Sequence, residues 1–341
     1  MPNQKEHSYK QTALPNIVSL FCGAGGLDWG FKNEGFKISL AIDHDTSAIR
    51  TYKRNFKRTK SIAADLNKIG PLGVLSFLKD RLEFGSRIGI IGGPPCQGFS
   101  RSNPLASPND PRNLLPALYV NIIKELQKKY DVEFIIFENV LGMKDKKHAE
   151  KYNKLISGLI KLGFTVDEYK LCALDFGVPQ KRNRIVVSAM KKGKGYSKVL
   201  PIKKTGITTV REAIGNLEEP AYFDRKLKPV EIPIHPNHWT MNPKSKRFSP
   251  MYTSNKPSRS FRRLSWDKAS PTIAFGNREI HIHPEGKRRI SIYEAMLLQG
   301  FPNSYVLEGT FSNQATQISN AVPPPLAKSI AAAIKTSLLF K

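Results

Sequence analysis

Residues 87–100, RIGIIGGPPCQGFS, constrain the fold of this chain more than any other stretch. The first six are mostly small or β-branched and apolar, the pattern of a strand buried on both faces of a parallel sheet. Two prolines then stiffen the approach to Cys96, and the flanking glycines permit close packing and a sharp exit. Open α/β sheets bind ligands in the crevice beyond the carboxyl ends of their strands, which is where Cys96 falls. Free cysteines are also among the most buried residue types. Taken alone, the position admits an inert core thiol as well as a nucleophile.

Further apolar runs at residues 17–21, 37–42, 134–137 and 185–188, with another run ending near Asp65, extend the same pattern. The first run leads into Gly23, Gly25 and Gly26, with a helix predicted from about Leu27. Such a turn lets a ligand approach backbone N–H groups, although the spacing is not that of GxGxxG and a plain tight turn fits equally. Asp43 ends the second run, where a carboxylate can accept hydrogen bonds from both hydroxyls of a ribose. His44 and Ile42 beside it either sandwich an adenine or merely pack. Asp65 suits an exocyclic amine or a helix N-cap.

The fourth apolar run ends in Glu138 and Asn139. A carboxyl there is partly desolvated, which raises its pKa and lets it hold a proton near neutrality. Gln180, Arg182 and Arg184 alternate, so they share one side of an extended segment. Two arginines there suit phosphate and carbonyl binding, as they would suit an exposed strand edge. Residues 101–113 read as a long active-site loop, basic near Arg101 and Arg112.

Composition narrows the partner. Lys and Arg number 54 against 28 Asp and Glu, a formal charge of +26, which points to a polyanion and foremost to nucleic acid. Ribosomes or acidic lipid are the other polyanions that charge alone would allow. Three scattered cysteines form neither a disulfide framework nor a zinc spacing and fit a reducing compartment. Residues 1–15 read as a loose tail without the apolar core of a signal peptide, and no stretch is long enough to span a bilayer. The expected location is the cytoplasm.

These motifs resemble the S-adenosylmethionine-dependent DNA cytosine-5 methyltransferases of bacterial and archaeal restriction-modification systems. FCGAGG at residues 21–26 is similar to the family's cofactor loop, GGPPCQGFS to its nucleophile motif and ENV at 138–140 to its acid motif. Gln180, Arg182 and Arg184 match its Gln-x-Arg-x-Arg segment. EAMLLQGFP at 294–302 and QISNAVPPPLA at 317–327 match its late blocks in order. The resemblance covers nearly the whole chain except about 190 to 270.

The resemblance implies an α/β fold: a Rossmann-like class I methyltransferase domain with a mostly parallel sheet, plus a smaller DNA-recognition domain. It implies Cys96 as nucleophile and Glu138 as the acid at ring nitrogen 3 of cytosine. Arg184 then fixes the cytosine carbonyl and Arg182 a nearby phosphate and loop. Gln97 and Ser100, in the closing loop, and Gln180 are assigned to substrate binding. Phe21, Gly23, Gly25, Gly26, Asp43, His44, Asp65 and Pro94 are assigned to the cofactor, with Asn320 and Val322 closing its methionine end. The chain departs from the family in having Asp43 for a longer glutamate, His44 for a bulkier aromatic and Ser319 for a glycine. These changes bear on cofactor affinity rather than on chemistry.

The expected division is a tail at 1–15, a catalytic and cofactor domain at 16–189, a target-recognition domain at 190–290 and a return segment at 291–341. Residues 232–275 intersperse Lys and Arg with Trp239, Phe248, Tyr252, Phe261 and Trp266, as groove and phosphate contacts require. His235, His238, His281 and His283 match no metal-ligand spacing, so no metal is expected. Two short strands flank a turn at Gly276 and Asn277, and Glu294 is read as a structural acid holding an arginine. The expected enzyme is a monomer acting on double-stranded DNA alongside a restriction endonuclease. A transfer-RNA cytosine-5 methyltransferase would share its catalytic residues. A silent DNA-binding module is opposed by the presence of Cys96, Glu138 and Arg184 together. A nicotinamide dehydrogenase is opposed by the missing fingerprint.

Overall fold

The computed structural model describes residues 13–95, 114–248, 262–273 and 281–340. The apolar runs form strands joined by helices in strict alternation: β1 (Asn16–Leu20), α1 (Gly26–Asn33), β2 (Ile38–Asp43), α2 (Thr46–Asn55), β3 (Lys60–Ala63), α3 (Leu66–Lys79), β4 (Arg87–Gly92), α4 (Leu115–Leu126), β5 (Asp131–Asn139), α5 (Ala149–Lys161) and β6 (Phe164–Cys172). The two-residue β7 (Gln180–Lys181) precedes β8 (Asn183–Lys191). A seven-stranded sheet results, in the order β3-β2-β1-β4-β5-β8-β6. Strands β1 to β5 pair in parallel, and β8 lies antiparallel between β5 and β6.

Alternation along each strand distributes its side chains to the two faces. Val18, Leu40, Ile90 and Ile135 pack with residues of α3, α4 and α5. Ile17, Ile91 and Ile136, each next to one of these, pack on the other face with Phe31, Leu326 and Ile330, as does Ile38. Both faces are therefore covered, as a parallel sheet requires.

The remaining elements are α6 (Val210–Ile214), β9 (Ala221–Tyr222), β10 (Trp239–Thr240), β11 (Ser270–Pro271), α7 (Ile292–Leu298), α8 (Phe311–Asn320) and α9 (Pro324–Leu339). Helix α9 returns the chain to the first domain and packs on α1, where Gly30 lies against the Ala327 backbone. Residues 190–290 form no separate core among the described residues. Val210, Ile214, Leu264, Ile273 and Ile290 share one cluster with Ala24, Ala41 and Tyr52. The sequence suggested a hairpin near residues 270–282. β11 pairs in parallel with β7, and Ile282 bridges Arg263 and Arg289. The turn at Gly276 and Asn277 lies outside the described residues.

Candidate active site

The strand order reverses between β1 and β4, and ligands of doubly wound sheets bind at such a switch point. At this edge a cleft of about 210 Å³ is lined by Phe21, His44 and Asp65. Ala64, Leu66, Asn67 and Leu115, which carried no distinctive signal in the sequence, complete its wall together with Pro95 of the proline pair. Phe21 holds φ of 56°, an uncommon conformation for a bulky residue, of the kind that collects at binding sites.

The glycine turn is fixed by the strands beside it. Gly23 N–H donates to Asp43 Oδ2 at 2.8 Å, and Asp45 N–H donates to Oδ1 at 2.8 Å. Asp43 is thus a buried brace for the turn, each oxygen already accepting one backbone hydrogen bond. His44 Nδ1 lies 3.3 Å from Asp43 Oδ1, and that carboxylate raises the imidazole pKa. Asp65 caps α3 through Asn67 N–H at 2.9 Å while also lining the cleft, so both readings of this residue meet in one place.

The three glycines divide by what surrounds them. A Cβ on Gly23, at φ +53°, would meet nothing within 4 Å, which leaves its backbone open to a ligand. On Gly25 it would lie 2.6 Å from the Phe56 ring, and on Gly26 2.3 Å from the Val322 carbonyl oxygen. Gly25 and Gly26 are therefore required by the protein's own packing. Val322 is buried at this contact, whereas Asn320 is exposed.

One strand further along, β5 delivers Glu138, which is 7% exposed. Burial raises its pKa, opposed by the charges of Arg184 and Arg182. Arg184 Nε pairs with Glu138 Oε1 at 2.9 Å. Gly93 packs so closely that a Cβ there would lie 2.9 Å from Glu138 Oε2. Asn139 donates from Nδ2 to the Pro94 carbonyl at 3.1 Å and accepts from Val140 N–H at 2.9 Å. The acid is thereby registered against the proline segment leading to Cys96. Cys96, Gln97 and Ser100 lie outside the described residues, as do Arg101, Arg112, Tyr252 and Phe261.

Two expected contacts are placed differently. Arg182 is 1% exposed, and its Nη2 donates to the carbonyls of Ser319 at 2.6 Å and Ala321 at 3.1 Å. It holds the segment around Asn320 in place. Gln180 is fully buried: its Nε2 donates to Gln299 Oε1 at 2.5 Å, and its Oε1 accepts from Ile273 N–H at 3.3 Å. Its amide joins the end of α7 to the backbone of Ile273. Both side chains occupy core positions because each pairs with backbone or amide groups of the return segment.

Glu294 caps α7 with Ser291 and takes Arg288 on both oxygens, at 2.8 and 2.9 Å, as a structural acid. The four histidines are buried. Among the described residues no group of three or more His, Cys, Asp or Glu is arranged to hold a metal, and no helix is long and apolar enough to cross a membrane.

The sheet topology defines a Rossmann-like α/β fold with a cleft at the carboxyl edge of the parallel strands. Residues 15–336 match the family model described as C-5 cytosine-specific DNA methylase, and the chain belongs to that family. It is 31% identical to the Type II methyltransferase M.MthTI of Methanothermobacter thermautotrophicus, across 95% of this chain and 98% of that one. It is also 31% identical to the Type II methyltransferase M.FnuDI of Fusobacterium nucleatum, across 95% of each. A crystal structure described as a prophage-encoded DNA modification methyltransferase of E. coli superposes with a TM-score of 0.77 at 27% identity, covering 95% of this chain and 99% of that one. The S. pombe Dnmt2 methyltransferase shares the fold, with a TM-score of 0.66 at 18% identity over 96% and 99% of the chains.

Proposed function

We propose that this enzyme methylates carbon 5 of a cytosine flipped out of a specific short double-stranded DNA sequence, through a covalent adduct at Cys96. The buried Glu138–Arg184 pair, registered through Asn139 to the segment before Cys96, is the observation that carries the reading. Residues 190–290 serve target recognition, with a net charge suited to phosphate contacts. The relatives named as Type II methyltransferases support pairing with a restriction endonuclease and protection of host DNA. A monomer suffices, because one strand is modified at a time.

S-adenosylmethionine is the methyl donor the family implies, and when bound it supplies the methyl as an electrophilic sulfonium. The cleft fits such a group: Gly23 leaves backbone space, Phe21 and His44 offer faces to a base, and Asp65 is an acceptor. Asp43, beside His44, and Asn320, exposed at the end of α8, are assigned to its polar groups.

Cytosine carbon 5 is a poor nucleophile in the intact aromatic ring, so covalent activation is needed. The Cys96 thiolate adds to carbon 6 while Glu138 holds a proton at nitrogen 3, neutralising the charge that addition would leave in the ring. Electron density then rises at carbon 5, as methylation requires. Loss of the carbon 5 proton afterwards expels Cys96 and restores the ring. Arg184 keeps Glu138 oriented and faces the cytosine carbonyl. A stacked base is out of reach of this edge, hence the flip.

Transfer of labelled methyl groups to duplex DNA and to transfer RNA, measured side by side, tests the substrate. Incorporation into duplex DNA is expected. Incorporation into transfer RNA alone would replace this reading with its closest rival.

A further inference from the structure

We propose that Tyr305 is a positioning residue for the cofactor loop, carrying the seating of residues 235–238 of the variable region onto the backbone of Ala24. The proposal rests on the cofactor assignment above, and it adds a residue that neither the glycine turn nor its acids include.

Tyr305 is fully buried, and its hydroxyl donates to the Ala24 carbonyl across 281 positions of sequence. Burial and the nearby Asp28 and Cys22 push the phenol pKa far up, so the hydroxyl stays a donor. Ala24 sits at the centre of the turn, between Gly23, tied to Asp43, and Gly25, whose N–H donates to the Cys22 carbonyl at 2.9 Å. Gly25 is what admits the phenol, since a Cβ there would lie 3.0 Å from the Tyr305 oxygen. The ring is wedged edge-on against Trp29, with centroids 5.0 Å apart, and tilted against Phe301 at 4.9 Å.

The strap that carries Tyr305 is clamped from two sides. On one side, Asn55 of α2 donates from Nδ2 to the Val306 carbonyl at 2.9 Å and accepts from Val306 N–H at 3.2 Å. On the other, Asn237 does the same to Leu307, donating and accepting at 2.9 Å. Each side-chain amide thus imitates a neighbouring strand. Thr51 Oγ1 accepts from Glu308 N–H at 2.7 Å, which fixes the strap's far end. His235 adds a tie to Tyr305 itself. Asn237 N–H donates to its Nδ1 at 3.1 Å, so Nε2 carries the proton and donates to the Tyr305 carbonyl at 3.1 Å. That imidazole stacks on Tyr293, with centroids 4.1 Å apart. The variable region's 235–238 segment and α2 therefore hold a rigid post whose tip is the Ala24 contact.

The test is cofactor binding to the full chain without DNA, measured by titration calorimetry with S-adenosylmethionine, for wild type, Tyr305→Phe, Asn237→Ala and the double variant. Losing one buried hydrogen bond while keeping the ring is expected to weaken Kd about 3- to 10-fold. KM for the cofactor should rise alike, with kcat at saturating cofactor and Kd for DNA retained. Asn237→Ala should weaken the same Kd, and in the double variant the two effects should combine to less than their product, because both act through Tyr305. Unchanged cofactor affinity in Tyr305→Phe, equal losses of cofactor and DNA affinity, or fully multiplicative effects in the double variant would overturn the proposal. A folded wild-type chain that binds no S-adenosylmethionine would instead sink the cofactor assignment itself.

Discussion

Replacing Glu138 by glutamine is expected to lower kcat for methyl transfer by about 10²- to 10⁴-fold, the range for loss of a positioned acid or base. Glutamine keeps an oxygen for Arg184 Nε, now 2.9 Å from the carboxylate, so the guanidinium retains an acceptor and the site its shape. The variant removes only the proton-holding capacity at nitrogen 3. Wild type should also show a rate that falls as pH rises through the Glu138 pKa. Burial has moved that pKa up, so the protonated carboxyl persists to higher pH than in an ordinary glutamate. Glu138→Gln should lack that limb. Steady-state kinetics across pH, with DNA binding measured in parallel, check both points. A variant that keeps near-wild-type turnover would remove Glu138 from the chemistry.

Gly30→Ala is expected to destabilise the fold by about 2 kcal/mol or more, although alanine gains up to about 1 kcal/mol over glycine within a helix. The added Cβ would lie 2.4 Å from the backbone carbon of Ala327 and from the amide nitrogen of Lys328. Backbone atoms on both sides leave no flexible side chain to yield, so α1 and α9 must separate. The thermal midpoint should fall by about 3 °C, and cofactor affinity should fall with it, because Val322 precedes α9 and packs on Gly26. Gly23→Ala provides the contrast. Nothing lies within 4 Å of its Cβ, so its cost is confined to the positive φ, about 1–2 kcal/mol. Calorimetric melting of the two variants separates clash from backbone strain. An unchanged or raised midpoint for Gly30→Ala would mean the helices are not in such close contact.

The carboxyl edge of the sheet was legible because a doubly buried strand writes a continuous apolar run, and the polar residue that ends it marks the crevice. Asp43, Asp65 and Glu138 stand at or just beyond their strand ends for that reason. Alternation placed Gln180, Arg182 and Arg184 on one side, and Arg184 alone reaches Glu138 among them. Sequence carries no mark of whether a polar side chain meets a ligand or a distant carbonyl. The partners of Arg182 stand 137 and 139 positions away. What crowds Gly25 and Gly26 is likewise distant in sequence, namely Phe56 and Val322. The described parts of residues 190–290 join the shared core and are tied by His- and Asn-to-backbone hydrogen bonds, which leave no periodic pattern to read.

The account is tested most directly by bisulfite sequencing of DNA from cells expressing the wild-type chain or Cys96→Ala. Wild type is expected to leave unconverted cytosines confined to one short sequence context, and Cys96→Ala is expected to leave none. Complete conversion with wild type, or protected cytosines that survive Cys96→Ala, would contradict it.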